Sequence, residues 1–133
     1  MLKDVHLFRD CWKNNHPIAW VILPDHFHAI LKVEGRSISG LMHSFKITYS
    51  RRFRDANRKG SVWQNRFWDH IIRDQSDFNK HIDYVHYNPV RHGLLTDPFE
   101  YEHSSLTEYY KADYYERDWR VEDPMEFEGD FGE

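Results

Sequence analysis

The sequence predicts an α+β domain: a small antiparallel sheet with helices packed on one face. Three observations predict it. Apolar residues recur at helical spacing in three separate segments. Two short apolar runs flank a Pro-Asp turn, as in a hairpin. The chain has 133 residues, enough for one core but too few for two of ordinary size.

The elements follow in order. Leu2, Val5, Phe8 and Trp12 recur at three- and four-residue steps, so residues 2–14 read as a helix that His16-Pro17 ends. Ile18-Ala19-Trp20-Val21-Ile22-Leu23 suits a buried strand, Pro24-Asp25 turns the chain, and residues 26–33 return as its hairpin partner. After a loop at Glu34-Gly35-Arg36, Ser37 can cap a helix that runs to about Arg58. Ile38, Leu41, Met42, Phe45, Tyr49 and Phe53 share one face of it. Arg51, Arg54 and Arg58 lie roughly opposite. A short strand is expected over residues 67–72. Asp74 or Ser76 then starts a helix that Pro89 is expected to stop.

Composition removes several function classes. Hydrophobic residues make up 40% and charged residues 30%, which is globular usage rather than disorder. The single cysteine, Cys11, forbids an internal disulfide. No apolar run approaches the ~20 residues of a membrane span, and the charged N-terminus has no signal-peptide core. The expected setting is the cytoplasm, with no membrane partner. The net charge of −4 hides an asymmetry. Residues 108–133 hold ten acids and three bases, whereas residues 46–66 hold seven bases against Asp55 alone. The expected organisation is a domain over residues 1–107 followed by an acidic aromatic tail. That tail is either a solvated end or a strap competing with a polyanion for the basic face.

Three constellations can carry chemistry. His26 and His28 alternate on a strand, so both imidazoles point one way and make half of a divalent-metal site. Strand histidines are more commonly ordinary surface or hydrogen-bonded residues, so the pair does not decide the matter alone. His81, Tyr84 and Asn88 form a stripe beside the apolar stripe Phe78, Ile82 and Val85. A phenol can act as a nucleophile and a carboxamide oxygen can ligate a hard cation. The same residues also suit a core edge and a helix end. Tyr87 points about 100° from Asn88 and is the poorer candidate. Trp63-Gln64-Asn65-Arg66-Phe67-Trp68 interleaves flat rings with amides and a guanidinium, which suits single-stranded nucleic acid as well as a core strand with an exposed loop. The Arg51, Arg54 and Arg58 face suits phosphates or simply solvent.

Together these residues resemble a known family. Ala19-Trp20-Val21-Ile22-Leu23-Pro24-Asp25-His26-Phe27-His28 resembles the His-hydrophobic-His (HUH) motif of the IS200-like transposases. Residues 63–73 resemble the segment that follows. Ile82-Asp83-Tyr84-Val85-His86-Tyr87-Asn88-Pro89-Val90-Arg91-His92-Gly93-Leu94 is similar to the tyrosine helix of the REP-associated tyrosine transposases, and the resemblance spans roughly residues 1–106. It implies a ferredoxin-like sheet and a single-strand DNA endonuclease and strand transferase acting on hairpin-forming DNA through a 5′-phosphotyrosine at Tyr84. It implies His26, His28 and Asn88 as ligands of Mg²⁺ or Mn²⁺. DNA would be held by Arg51, Arg54, Arg58, Trp63, Arg66 and Trp68. No nucleotide cofactor is implied, and relatives of this kind act as monomers or homodimers at the nucleoid. Such proteins begin with a strand ahead of the first helix, whereas this sequence opens on the helix, so that central strand is expected to be missing.

Two other function classes fit the same residues. One is a non-catalytic module binding structured single-stranded DNA or RNA without a metal. The other is a metal-dependent phosphodiesterase that uses water in place of Tyr84.

Overall fold

The computed structural model describes residues 17–24, 26–32, 40, 43, 46–48, 51 and 71–121. The helix expected over residues 2–14, and the strand expected to be missing ahead of it, lie outside those residues. So do most of residues 33–58 and all of 52–70, which include Arg54, Arg58, Trp63, Arg66 and Trp68. Helical backbone is recorded at Gly40, His43, Lys46, Ile47, Thr48 and Arg51, inside the predicted second helix.

The hairpin forms as its pattern requires. Strand β1 is Ala19–Ile22 and β2 is Phe27–Ile30. They pair antiparallel with Ala19 opposite Ile30 and Val21 opposite His28. The Leu23 N–H donates to the His26 carbonyl at 2.7 Å and closes the connection. β1 also has a partner on its other edge that its apolar run does not announce. Val21 bridges to Ser104, the Ile22 N–H donates to His103 O, and the Ser105 N–H donates to Trp20 O. The expected strand over 67–72 is not seen in its described part: Ile71 and Ile72 lie outside any strand, and Ile71 is 80% exposed.

Helix α1, Gln75–Arg91, is capped by Asp74, whose carboxylate accepts the Asp77 N–H at 2.8 Å. Ile82 and Val85 are buried against β1, with Phe78 packed at the edge, as the apolar stripe predicts. The helix does not stop at Pro89. It runs two residues further and ends in a Schellman turn: Gly93 adopts φ +73°, its N–H donates to Val90 O, and the Leu94 N–H donates to Pro89 O. A proline forfeits its own hydrogen bond, but the residues after it still donate. The stop signal is therefore Gly93, where an L side chain would be strained.

The expected boundary at residue 107 falls inside helix α2, Leu106–Lys111. Leu106 and Tyr115 belong to the same buried cluster as Val21 and Ile82, and Trp119 packs against it. The Tyr109 and Tyr101 hydroxyls donate to the Ile18 and Ile22 carbonyls. Arg117 places both guanidinium nitrogens on the Asp97 carboxylate, at 2.7 and 3.2 Å, which holds that carboxyl below its usual range. Acidic composition suggests a solvated end, but aromatic residues interleave the acids here and bury themselves. The chain to Val121 is thus part of the domain.

A hydrogen-bonded chain runs through α1. The Trp20 N–H donates to Ser105 Oγ (2.9 Å), which lies 2.7 Å from His86 Nε2. His86 Nδ1 is 2.9 Å from Tyr115 Oη, and the Tyr115 hydroxyl donates to Asp83 Oδ1 at 3.0 Å. Donor counting sets the directions. The Tyr115 proton goes to the carboxylate, so its oxygen accepts Nδ1–H and Nε2 accepts from Ser105. Burial keeps His86 neutral, pushing it down to about 3, and together with Asp83 it pushes the Tyr115 phenol up.

The unfolded chain's His86 titrates near 6.5, so between about 6.5 and 3 the unfolded state holds the extra proton. The stabilisation is complete above that window and is lost by ~1 kcal/mol for each unit of acidification within it. Urea titrations from pH 8 to pH 4 check this. A slope no steeper in the wild type than in His86→Gln would contradict it.

Candidate active site on the hairpin and the long helix

His28 of β2 and His26, just ahead of the strand, lie close together on the hairpin. Their rings stand edge to face, with centroids 5.1 Å apart. Both are half-buried. Packing of α1 across the hairpin brings the Tyr84 ring to 5.2 Å from the His28 ring, again edge to face. Two further side chains complete the group. The Arg91 guanidinium carbon lies 5.5 Å from the Tyr84 ring centroid, and the His92 ring lies 5.2 Å from that of His26. A run of contacts therefore passes from His92 through His26, His28 and Tyr84 to Arg91, and its two ends are neighbours in the sequence.

Tyr84 is 2% exposed, and Tyr87 and Val121 pack on it. Asn88 lies one turn further along α1 and is fully buried, with neither its carboxamide oxygen nor its nitrogen hydrogen-bonded in the structure. An unsatisfied buried amide costs roughly 1–3 kcal/mol, which makes this side chain a candidate ligand. A carboxamide oxygen is a hard donor and the two imidazoles are intermediate ones, a set that suits a divalent cation. Among the described residues no three His, Cys, Asp or Glu side chains converge as ligands.

The family model described as "Transposase IS200 like" matches residues 10–88. The chain belongs to the IS200-like transposase family. It is 31% identical over 144 residues to a putative REP-associated tyrosine transposase of Haemophilus influenzae, covering 95% of this chain and 82% of that protein. It is 34% identical over 103 residues to the REP-associated tyrosine transposase of Escherichia coli, covering 76% of this chain and 60% of that one. A solved REP-associated tyrosine transposase, bound to a REP hairpin, superposes with a TM-score of 0.76 at 26% identity over 96% of this chain and 76% of that one. The enzyme class is accordingly that of the tyrosine transposases, and the fold is α+β. Among the described residues, no helix of this family member is long and apolar enough to cross a membrane.

The structure brings together His26, His28 and Tyr84, and places Asn88 on the same helix as Tyr84. His81 is turned to its own helix, where it meets the Asp77 carbonyl and carboxylate. Arg51 is exposed on helical backbone, and the other expected DNA-contacting residues lie outside the described ones. Sequence reasoning passed over Arg91 and His92. Arg91 is seven residues after Tyr84 and so returns to the same helical face. Expecting Pro89 to end the helix hid that signal.

Proposed function

We propose that this chain is a single-strand DNA endonuclease and strand transferase that acts on hairpin-forming DNA through a covalent bond at Tyr84. The contact between the Tyr84 and His28 rings carries this reading, because it joins a phenol to a paired-imidazole site across 56 residues of chain. The hairpin partner is supported by the solved relative, which is bound to one.

In the proposed step Tyr84 Oη attacks the phosphorus. The Oη–P bond forms and the P–O3′ bond breaks. The phenolic proton leaves to solvent and the departing 3′ oxygen takes up a proton as a hydroxyl. The strand's 5′-phosphate is left on the tyrosine. Phenolate is a good leaving group, so a new 3′-hydroxyl can reverse the step without ATP. Tyr84 is buried, so a strand reaches Oη only where the cover over it opens. His26, His28 and the Asn88 carboxamide oxygen would hold Mg²⁺ or Mn²⁺. A cation bound there supplies charge that offsets the phosphoryl oxygens during attack. The basic helix bearing Arg51, Arg54 and Arg58, with Trp63, Arg66 and Trp68, would hold the flanking strand by charge and stacking.

The test is incubation of labelled hairpin-tipped oligonucleotides with the protein in Mn²⁺ or in EDTA, followed by denaturing gels. The expected result is a shortened strand and a protein-linked strand in Mn²⁺, with neither in EDTA and neither from His28→Ala. Hairpin binding that survives EDTA with no cutting in any metal would make the chain a binding module. Cutting without a protein-linked strand would make water the nucleophile.

A further inference from the structure

We propose that Arg91 is a catalytic residue that grips the scissile phosphate beside Tyr84. This rests on the functional reading above and adds a role to it. Arg91 occupies the last turn of α1, seven residues after Tyr84 and three after Asn88. Those spacings bring all three to one face of the helix. The turn exists because the helix continues past Pro89 to Gly93. The Arg91 guanidinium carbon stands 5.5 Å from the centroid of the phenol ring, and the residue is exposed. Among the described residues, Arg91 brings a permanent positive charge to the phenol ring that His28 meets edge to face.

Attack on a phosphodiester increases the negative charge on the non-bridging oxygens, and the phenol gives up its proton in the same event. A planar, permanently charged fork over the phenol ring matches both demands. It can donate two parallel hydrogen bonds to the phosphoryl oxygens and hold the phosphorus against Oη. A cation resting on an aromatic face purely as packing is worth only about 0.5–1 kcal/mol at an exposed site. That bland role predicts a small effect on stability and none on chemistry, so the two are separable.

The experiment compares single-turnover cleavage by wild type, Arg91→Lys and Arg91→Ala on two hairpin-tipped oligonucleotides. One has an ordinary scissile phosphodiester and the other a methylphosphonate, which lacks the charged non-bridging oxygen. Arg91→Ala is expected to cleave the diester on the order of 100-fold more slowly, with Arg91→Lys in between because a point charge replaces a fork. The melting temperature should stay near wild type. On the methylphosphonate the gap between wild type and Arg91→Ala should largely close, since the partner of the guanidinium is gone. Wild-type rates from Arg91→Ala on the diester would overturn the proposal, as would an equal gap on both substrates. A wild-type protein that forms no covalent adduct on the diester would instead overturn the functional reading, and the role of Arg91 with it.

Discussion

Tyr84→Phe is expected to remove the covalent protein–DNA adduct and to slow cleavage by 10⁴-fold or more, on the order seen when an enzyme loses its nucleophile. The substitution is a clean one here. Phenylalanine keeps the ring that stands against His28, under Arg91, and beneath Tyr87 and Val121, so only the attacking oxygen is deleted. Hairpin affinity should therefore be retained, and the affinity of the imidazole pair for Mn²⁺ with it. Tyr87 offers no substitute nucleophile, because it is turned to Trp119, with ring centroids 5.4 Å apart. The readout is label transferred to protein on a denaturing gel, alongside a binding titration. An adduct that persists in Tyr84→Phe would remove Tyr84 from the reaction.

The largest effect on stability is expected from His86→Ala. The imidazole is wholly buried and links four groups in one line: the Trp20 backbone, Ser105, Tyr115 and Asp83. Its removal leaves a void and takes one hydrogen-bond partner each from the Ser105 and Tyr115 hydroxyls. Loss of a large buried side chain and of partners inside a low-dielectric network adds to about 3–5 kcal/mol. For a domain of this size that lowers the melting temperature by on the order of 10 °C. Tyr115→Phe keeps the ring and breaks only the two bonds at its oxygen, so about 1–3 kcal/mol is expected. Calorimetry distinguishes the two. An unchanged melting temperature in both variants would mean that the chain of hydrogen bonds does not contribute to stability. This network clamps α1 from the side away from Tyr84, because residue 86 lies about 200° around the helix from residue 84. It couples the C-terminal segment to the placement of the site.

What could be read in advance followed local periodicity. The alternation of apolar residues around Pro24-Asp25 specified the hairpin and put His26 and His28 on one side. The stripe Phe78, Ile82 and Val85 specified the buried face of α1 and set Tyr84 and Asn88 beside it. Two misreadings came from weighing one residue against its surroundings. Pro89 predicts a stop, whereas Gly93 has the conformation that ends the helix. The acids after Glu108 suit a solvated end or a strap over the basic face, whereas Tyr115 and Trp119 pack onto the core and Arg117 is forked onto Asp97.

Local periodicity sets the kind of elements, the sidedness of the paired imidazoles and the face shared by the phenol and the carboxamide, because each follows from a repeat of two or of 3.6 residues within one segment. Only tertiary packing decided that residue 28 meets residue 84, that Arg91 and His92 close the ring, and that Ser104 and Tyr115 complete the core. Those contacts join segments far apart along the chain. Side-chain shape, burial and hydrogen-bond satisfaction select them, and no local repeat encodes that selection.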